Sequence, residues 1–192
     1  MNPAQQVMQV ATGYMASSCL YAAITLNVAE HLASGPKTAA ELAKATGANE
    51  DALYRVLRLL ASLGIFEEVA PRKFASTPAS DLLRKDVPGS LRGMAVFLPD
   101  PIHYSIYSNI MHSMSTGQPA ADDTLGMPVF QYLEKDQAYS QVFNDAMTAF
   151  SAPVAGAALE VYDFGGIGTL VDVAGGHGEV LMSILKANPN VR

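Results

Sequence analysis

Apolar residues recur at helical spacing through the first 33 residues. Val7, Val10, Ala11 and Tyr14 form one stripe, and Leu20, Ile24, Val28 and Leu32 form a second. Few polar residues interrupt either stretch, so both faces are expected to be covered. A chain's first helix is seldom enclosed by its own domain, which points to a second copy of the protein as the cover. Gly35-Pro36 ends this region. Thr38 with Glu41 three residues on is a capping-box pattern for a short helix to about Ala45, closed by Gly47. Asn49 then caps a helix whose face is Leu53, Val56, Leu57, Leu60 and Leu63, and Gly64 stops it. Phe66–Ala70 and Lys73–Thr77 alternate as two short strands around Pro71-Arg72. Helix, turn, helix and hairpin together predict a winged helix-turn-helix.

Helices are predicted over about 88–97, 103–115, 127–133 and 136–161, with Gly117 and Pro119 opening a loop that holds Asp122 and Asp123. From Gly93 to Glu134 there is no Lys or Arg. That stretch is instead rich in Met and aromatic residues, among them Met94, Met111, Met114, Met127, Phe97, Tyr104, Tyr107, Phe130 and Tyr132. Such residues fill ordinary cores, and they also wall pockets for flat aromatic molecules, because thioethers pack against rings. His103 and His112 are nine residues apart in this stretch. That spacing does not put them on one helix face as a metal pair.

Beyond residue 163 the pattern changes. Thr169–Val173 reads as a short apolar strand, Gly175, Gly176 and Gly178 follow at once, and Val180–Ala187 reads as an apolar helix. Strand, glycine turn and helix are the parts of a nucleotide-binding arrangement. Glycines let a ligand approach the backbone, the helix start offers free N–H groups, and Asp172 could hold the turn or a cationic group. The spacing is GGxG rather than GxGxxG, so a dinucleotide pyrophosphate is not the natural ligand. His177 lies inside the turn, where it would border the ligand.

Composition narrows the classes. Of 192 residues, 49% are apolar and 16% charged, and the net charge of −6 argues against broad phosphate binding. Arg55, Arg58, Arg72 and Lys73 would be the DNA contacts of a winged helix, but Glu50 and Asp51 precede them, so nucleic acid is not expected as a partner. No apolar run reaches the roughly 18 residues of a membrane helix. Cys19 stands alone, which excludes an internal disulfide or a CxxC metal site, and no metal is expected. These features read as a soluble, cytoplasmic protein.

Tyr162-Asp163-Phe164 followed by Leu170–Gly178 resembles motif I of class I S-adenosylmethionine methyltransferases. Leu57–Phe66, Gly126–Phe130 and Phe143–Met147 add, in order, a resemblance to small-molecule O-methyltransferases of the caffeate, acetylserotonin and bacterial polyketide or phenazine type. The resemblance implies a mainly α fold with three parts. Residues 1–100 would be a helical dimerisation region with a winged helix, and 101–163 a helical linker and acceptor-pocket wall. Residues 164–192 would begin a truncated, Rossmann-like α/β domain. It implies S-adenosyl-L-methionine as cofactor, with S-adenosyl-L-homocysteine as product, and a homodimer acting on a hydroxyl of a small aromatic or polyketide-like molecule. Cofactor contacts would come from Met147, Ser151, Asp172, Gly175, Gly176 and Gly178, and acceptor contacts from Phe143 and Met147.

One departure is Ala174, where the family often has glycine; its methyl group is expected to fit if the backbone angles there are ordinary. The family's acidic ribose-binding residue and its catalytic histidine match nothing in this chain, so no catalytic residue is assigned. The chain therefore reads as the front half of an enzyme, inactive alone. The other readings are a dimeric winged-helix DNA-binding regulator and a non-catalytic dimerisation scaffold.

Overall fold

A computed structural model describes residues 2–192. Asn2 caps α1 (Pro3–Thr25) in a reciprocal box with Gln5, at 2.8 and 3.0 Å. The helix expected over 3–33 breaks at Asn27, whose φ is 54°. Asn is among the few residues that enter this left-handed region easily. Its Oδ1 accepts from Arg92 Nη2 at 2.9 Å, and α2 (Val28–Leu32) starts at the next residue. Among the described residues α1 is covered only in part: Ala23 and Ile24 are buried, while Val7 and Val10 are 67% and 80% exposed.

A two-residue strand, β1 (Lys37–Thr38), precedes α3 (Ala39–Thr46). The capping box forms as expected: Glu41 N–H donates to Thr38 Oγ1 at 3.2 Å, and the Glu41 carboxylate accepts from the Thr38 N–H at 2.7 Å. That backbone bond holds the Glu41 carboxyl below its ordinary range. Asn49 caps α4 (Glu50–Ser62), and Gly64 follows it with φ 77°. The hairpin of β2 (Phe66–Ala70) and β3 (Lys73–Ser76) is antiparallel, and the sheet order is β1-β3-β2. β1 escaped the sequence reading because two residues carry no periodicity. Leu32, Leu42, Leu57, Leu60, Phe66 and Phe74 form the centre of this region's core.

One helical turn, α5 (Pro78–Asp81), was not anticipated. Residues 82–91 then fold back: Leu91 N–H donates to Leu82 O at 2.8 Å, and Ser90 Oγ donates to Arg84 O at 2.7 Å. The helix expected from 88 therefore begins later, as α6 (Arg92–Phe97). The single helix expected over 103–115 is two, α7 (Pro101–Ser108) and α8 (Ile110–Thr116). At the join, Asn109 Nδ2 donates to Asp123 Oδ2 at 2.9 Å and to Thr124 Oγ1 at 3.1 Å. Those partners lie on α9 (Ala120–Leu125), within the stretch expected to be a loop. α10 (Val129–Lys135) and the long α11 (Gln137–Val161) follow close to expectation.

Phe97, Leu133, Tyr139 and Ala146 make a second core between α6, α10 and α11. Gly93 is required there: a Cβ on it would lie 2.5 Å from the Asp145 carbonyl oxygen, so only glycine lets α6 approach α11 this closely. Burial, with Asp100 and Tyr132 nearby, pushes the Tyr139 hydroxyl up to about 12.

The strand expected over Thr169–Val173 does not form. A strand exists by pairing with neighbours. Among the described residues only the last one pairs here: Leu170 N–H donates to Arg192 O at 2.7 Å, and Arg192 N–H donates to Gly168 O at 3.2 Å. Val171 and Val173 remain 75% and 86% exposed. The helix after the glycine turn does form, as α12 (Glu179–Ala187). A helix closes its own hydrogen bonds and needs no such neighbour. Among the described residues no helix is long and apolar enough to cross a membrane.

Candidate functional site

Along α11, Phe143, Met147 and Ser151 follow one another at i,i+4 spacing and so share one stripe of the helix. That stripe faces the glycine turn across a cavity of about 770 Å³. Ala174, Gly175 and Gly176 line the turn side, and Phe130 and Leu133 of α10 line one end. Five of the residues expected at the site thus share this cavity: Phe143, Met147, Ser151, Gly175 and Gly176. Asp172 and Gly178 are not in its wall. The Asp172 carboxylate occupies the space where a side chain on Gly175 would stand, so it packs against the turn, and any side chain at 175 would have to displace that carboxylate. Gly178, with φ 73°, is the N-cap of α12.

Ala174 does not have ordinary angles. Its φ is 59°, left-handed like those of Gly176 (57°) and Gly178 (73°). The methyl group is tolerated at the expense of backbone strain, since an L side chain there crowds its own carbonyl. Left-handed residues alternating along 174–178 coil the chain tightly next to the cavity. A Cβ at Gly176 would meet no atom within 4 Å, so glycine is needed there for its φ and not for lack of room.

The second wall is mixed. Ser140, Asn144 and Thr148 run along α11 beside the Phe143–Met147 stripe and also line the cavity, with Gln137 at one end. None of them was singled out from the sequence, although their own i,i+4 spacing was a readable signal. His177 borders the cavity as expected; its Nδ1 lies 3.2 Å from Thr148 Oγ1. Phe143 meets Phe130 and Phe97 edge to face, at 6.4 and 5.7 Å between centroids. Phe97 in turn lies 4.2 Å from the His103 ring, and burial holds that imidazole below its ordinary value. The Met-rich stretch divides in two: Met94 packs on the second core, while Met111 and Met114 are exposed on α8, away from the cavity.

The donor set suits a zwitterionic, partly apolar ligand. The turn offers backbone N–H groups, Ser151 a hydroxyl for a carboxylate, Glu179 a carboxylate for a cation, and Met147 and Phe143 apolar surface. Residues 8–86 match the family model for the O-methyltransferase dimerisation domain, and residues 107–192 match that for the O-methyltransferase domain. The chain belongs to the S-adenosylmethionine-dependent O-methyltransferase family. The phenazine O-methyltransferase PhzM of Lysobacter antibioticus is 37% identical over 97% of this chain and 54% of its own length. The crystal structure of LaPhzM superposes with a TM-score of 0.95 at 35% identity, over 100% of this chain and 57% of that one. The S-adenosylhomocysteine-bound form of CalO1, a methyltransferase of calicheamicin biosynthesis, gives a TM-score of 0.80 at 32% identity, over 100% and 58%. The chain spans about half the length of the curated relatives it matches.

Proposed function

We propose that this chain carries the cofactor turn and the acceptor wall of an enzyme that methylates a hydroxyl on a small aromatic or polyketide-like molecule. The observation that carries this reading is the single cavity shared by the glycine turn and the Phe143–Met147–Ser151 stripe. When bound, S-adenosylmethionine supplies an electrophilic methyl group on sulfur and leaves as S-adenosylhomocysteine. The turn's N–H groups and the Ser151 hydroxyl hold the amino-acid end of the cofactor, Asp172 braces the turn, and Gly178 starts the helix behind it. Phe143 and Met147 would flank the acceptor ring and orient its hydroxyl toward the cofactor end of the cavity. No residue here is assigned as the proton acceptor, and the 192-residue chain by itself gives no turnover; methylation of any catechol or polyketide acceptor by the purified chain would refute this.

The region over residues 1–100 we read as a dimerising unit built on a winged helix, with 101–163 as linker and acceptor wall and 164–192 as the start of the cofactor domain. The exposed apolar residues of α1 support a homodimer through the N-terminal helices. Light scattering should find a dimer at micromolar concentration. The DNA-binding alternative is disfavoured by Arg72, whose Nη2 is held at 2.8 Å by both Glu50 and Asp51. The wing's cation is thereby matched by acids of the helix that would enter the groove.

The deciding experiment is calorimetric titration of the purified chain with S-adenosylhomocysteine. Saturable binding supports the reading, and silence at millimolar ligand removes it.

A further inference from the structure

The glycine turn has no strand ladder behind it, yet it faces α11 in one orientation. α12 packs on α11, and each helix buries one apolar residue, Ile184 and Ala155, which brings the two segments together. Such packing is non-directional and sets proximity without setting rotation. The directional link is the pair Thr148 Oγ1 and His177 Nδ1, at 3.2 Å. Among the described residues, no other side-chain hydrogen bond or ion pair joins α11 to the segment that follows it. The link is placed where it matters most. Thr148 lies between Met147 and Ser151 on the helix, and His177 lies between the left-handed Gly176 and Gly178 in the turn. Both residues also border a second cavity, of about 960 Å³, on the other side, against Lys85–Gly93. The pair thus forms part of the partition between the two spaces.

We infer that His177 and Thr148 form a latch that fixes the glycine turn against α11, and so sets the span between the turn's N–H groups and the Met147–Ser151 wall. His177 is a positioning residue in this role. The inference rests on the reading of the turn as a cofactor cradle. The chemistry suits a latch: the threonine hydroxyl donates to a bare Nδ1 or accepts from a protonated one, so the link persists in either tautomer.

The test uses the full 192-residue chain and two measurements, the S-adenosylhomocysteine dissociation constant and amide hydrogen exchange of the ligand-free protein. H177A and T148V should each weaken S-adenosylhomocysteine by about fivefold, the worth of one ordinary hydrogen bond. The double variant should be no worse than either single one, because both remove the same bond. H177N, which returns a polar atom near the position of Nδ1, and T148S should restore binding. Without ligand, exchange at residues 174–180 should quicken in the two deletion variants and recover in the two conservative ones, while exchange in α4 stays unchanged. Additive losses, or unchanged exchange at 174–180 in H177A, would overturn the latch. If the wild-type chain binds no S-adenosylhomocysteine, the cofactor reading fails, and the exchange measurement still decides the latch.

Discussion

In the N-terminal region, α4 buries Leu53, Leu57 and Leu60 against α3 and the hairpin, and its ends are tied by Asn49 and Gly64. In the segment after α11, an equally apolar run, Leu170–Val173, stands open, with Val173 86% exposed. The sequence signals were similar in strength, and the outcome differs because of where each element finds its hydrogen bonds. A helix satisfies its backbone internally and only then presents a face to pack. A strand must borrow partners, and among the described residues only Arg192 supplies them here. An apolar run therefore predicts a strand only conditionally on its neighbours.

Five substitutions test this contrast. The largest effect belongs to Leu57→Ala, which leaves a void in a fully enclosed core and should cost about 2–5 kcal/mol in chemical unfolding. Val171→Ala, in the open run, should stay within about 0.5 kcal/mol. Gly93→Ala comes next: the added carbon meets the Asp145 backbone and should cost about 1–3 kcal/mol through separation of α6 from α11. Gly13→Ala, which meets nothing within 4 Å and lies inside α1, should be neutral or slightly stabilising. Ala174→Gly relieves the left-handed strain and should stabilise the chain by up to about 1 kcal/mol, with S-adenosylhomocysteine binding at least as tight as before. A loss of stability in that variant would mean that the alanine methyl packs usefully.

The smallest effect is on pH. Burial lowers the His103 value, and Asp100 opposes that shift only in part. Its contribution to stability is therefore complete above the ordinary value near 6.5 and is lost as pH falls through the lower folded value. Melting temperature should fall as pH drops below about 6.5. His103→Phe should flatten that part of the profile, and an unchanged slope would assign it to other groups.

Much of the architecture was legible from local chemistry. The Thr38–Glu41 box, the Asn49 cap, the Gly47 and Gly64 stops and the two strands of the hairpin all rest on interactions within a few residues. The breaks at Asn27 and Asn109 were not legible, because each answers to a distant partner, Arg92 in one case and Asp123 in the other. At the candidate site, the i,i+4 spacing of Phe143, Met147 and Ser151 was visible in the sequence. The opposing placement of Thr148 and His177 was not, since nothing local relates a helix to a turn 29 residues later.

Local sequence sufficed for α3, α4 and α12, for the Thr38 and Asn49 caps, for the hairpin and for the presence of a glycine turn, because propensity, capping and backbone freedom act over short separations. Only the tertiary structure decided that Asp172 leans on the turn instead of facing the cavity, that Ala174 is left-handed, and that the run before the turn is not a strand. Those outcomes depend on which surfaces and hydrogen-bond partners the rest of the chain brings within reach, and no short stretch of sequence specifies that.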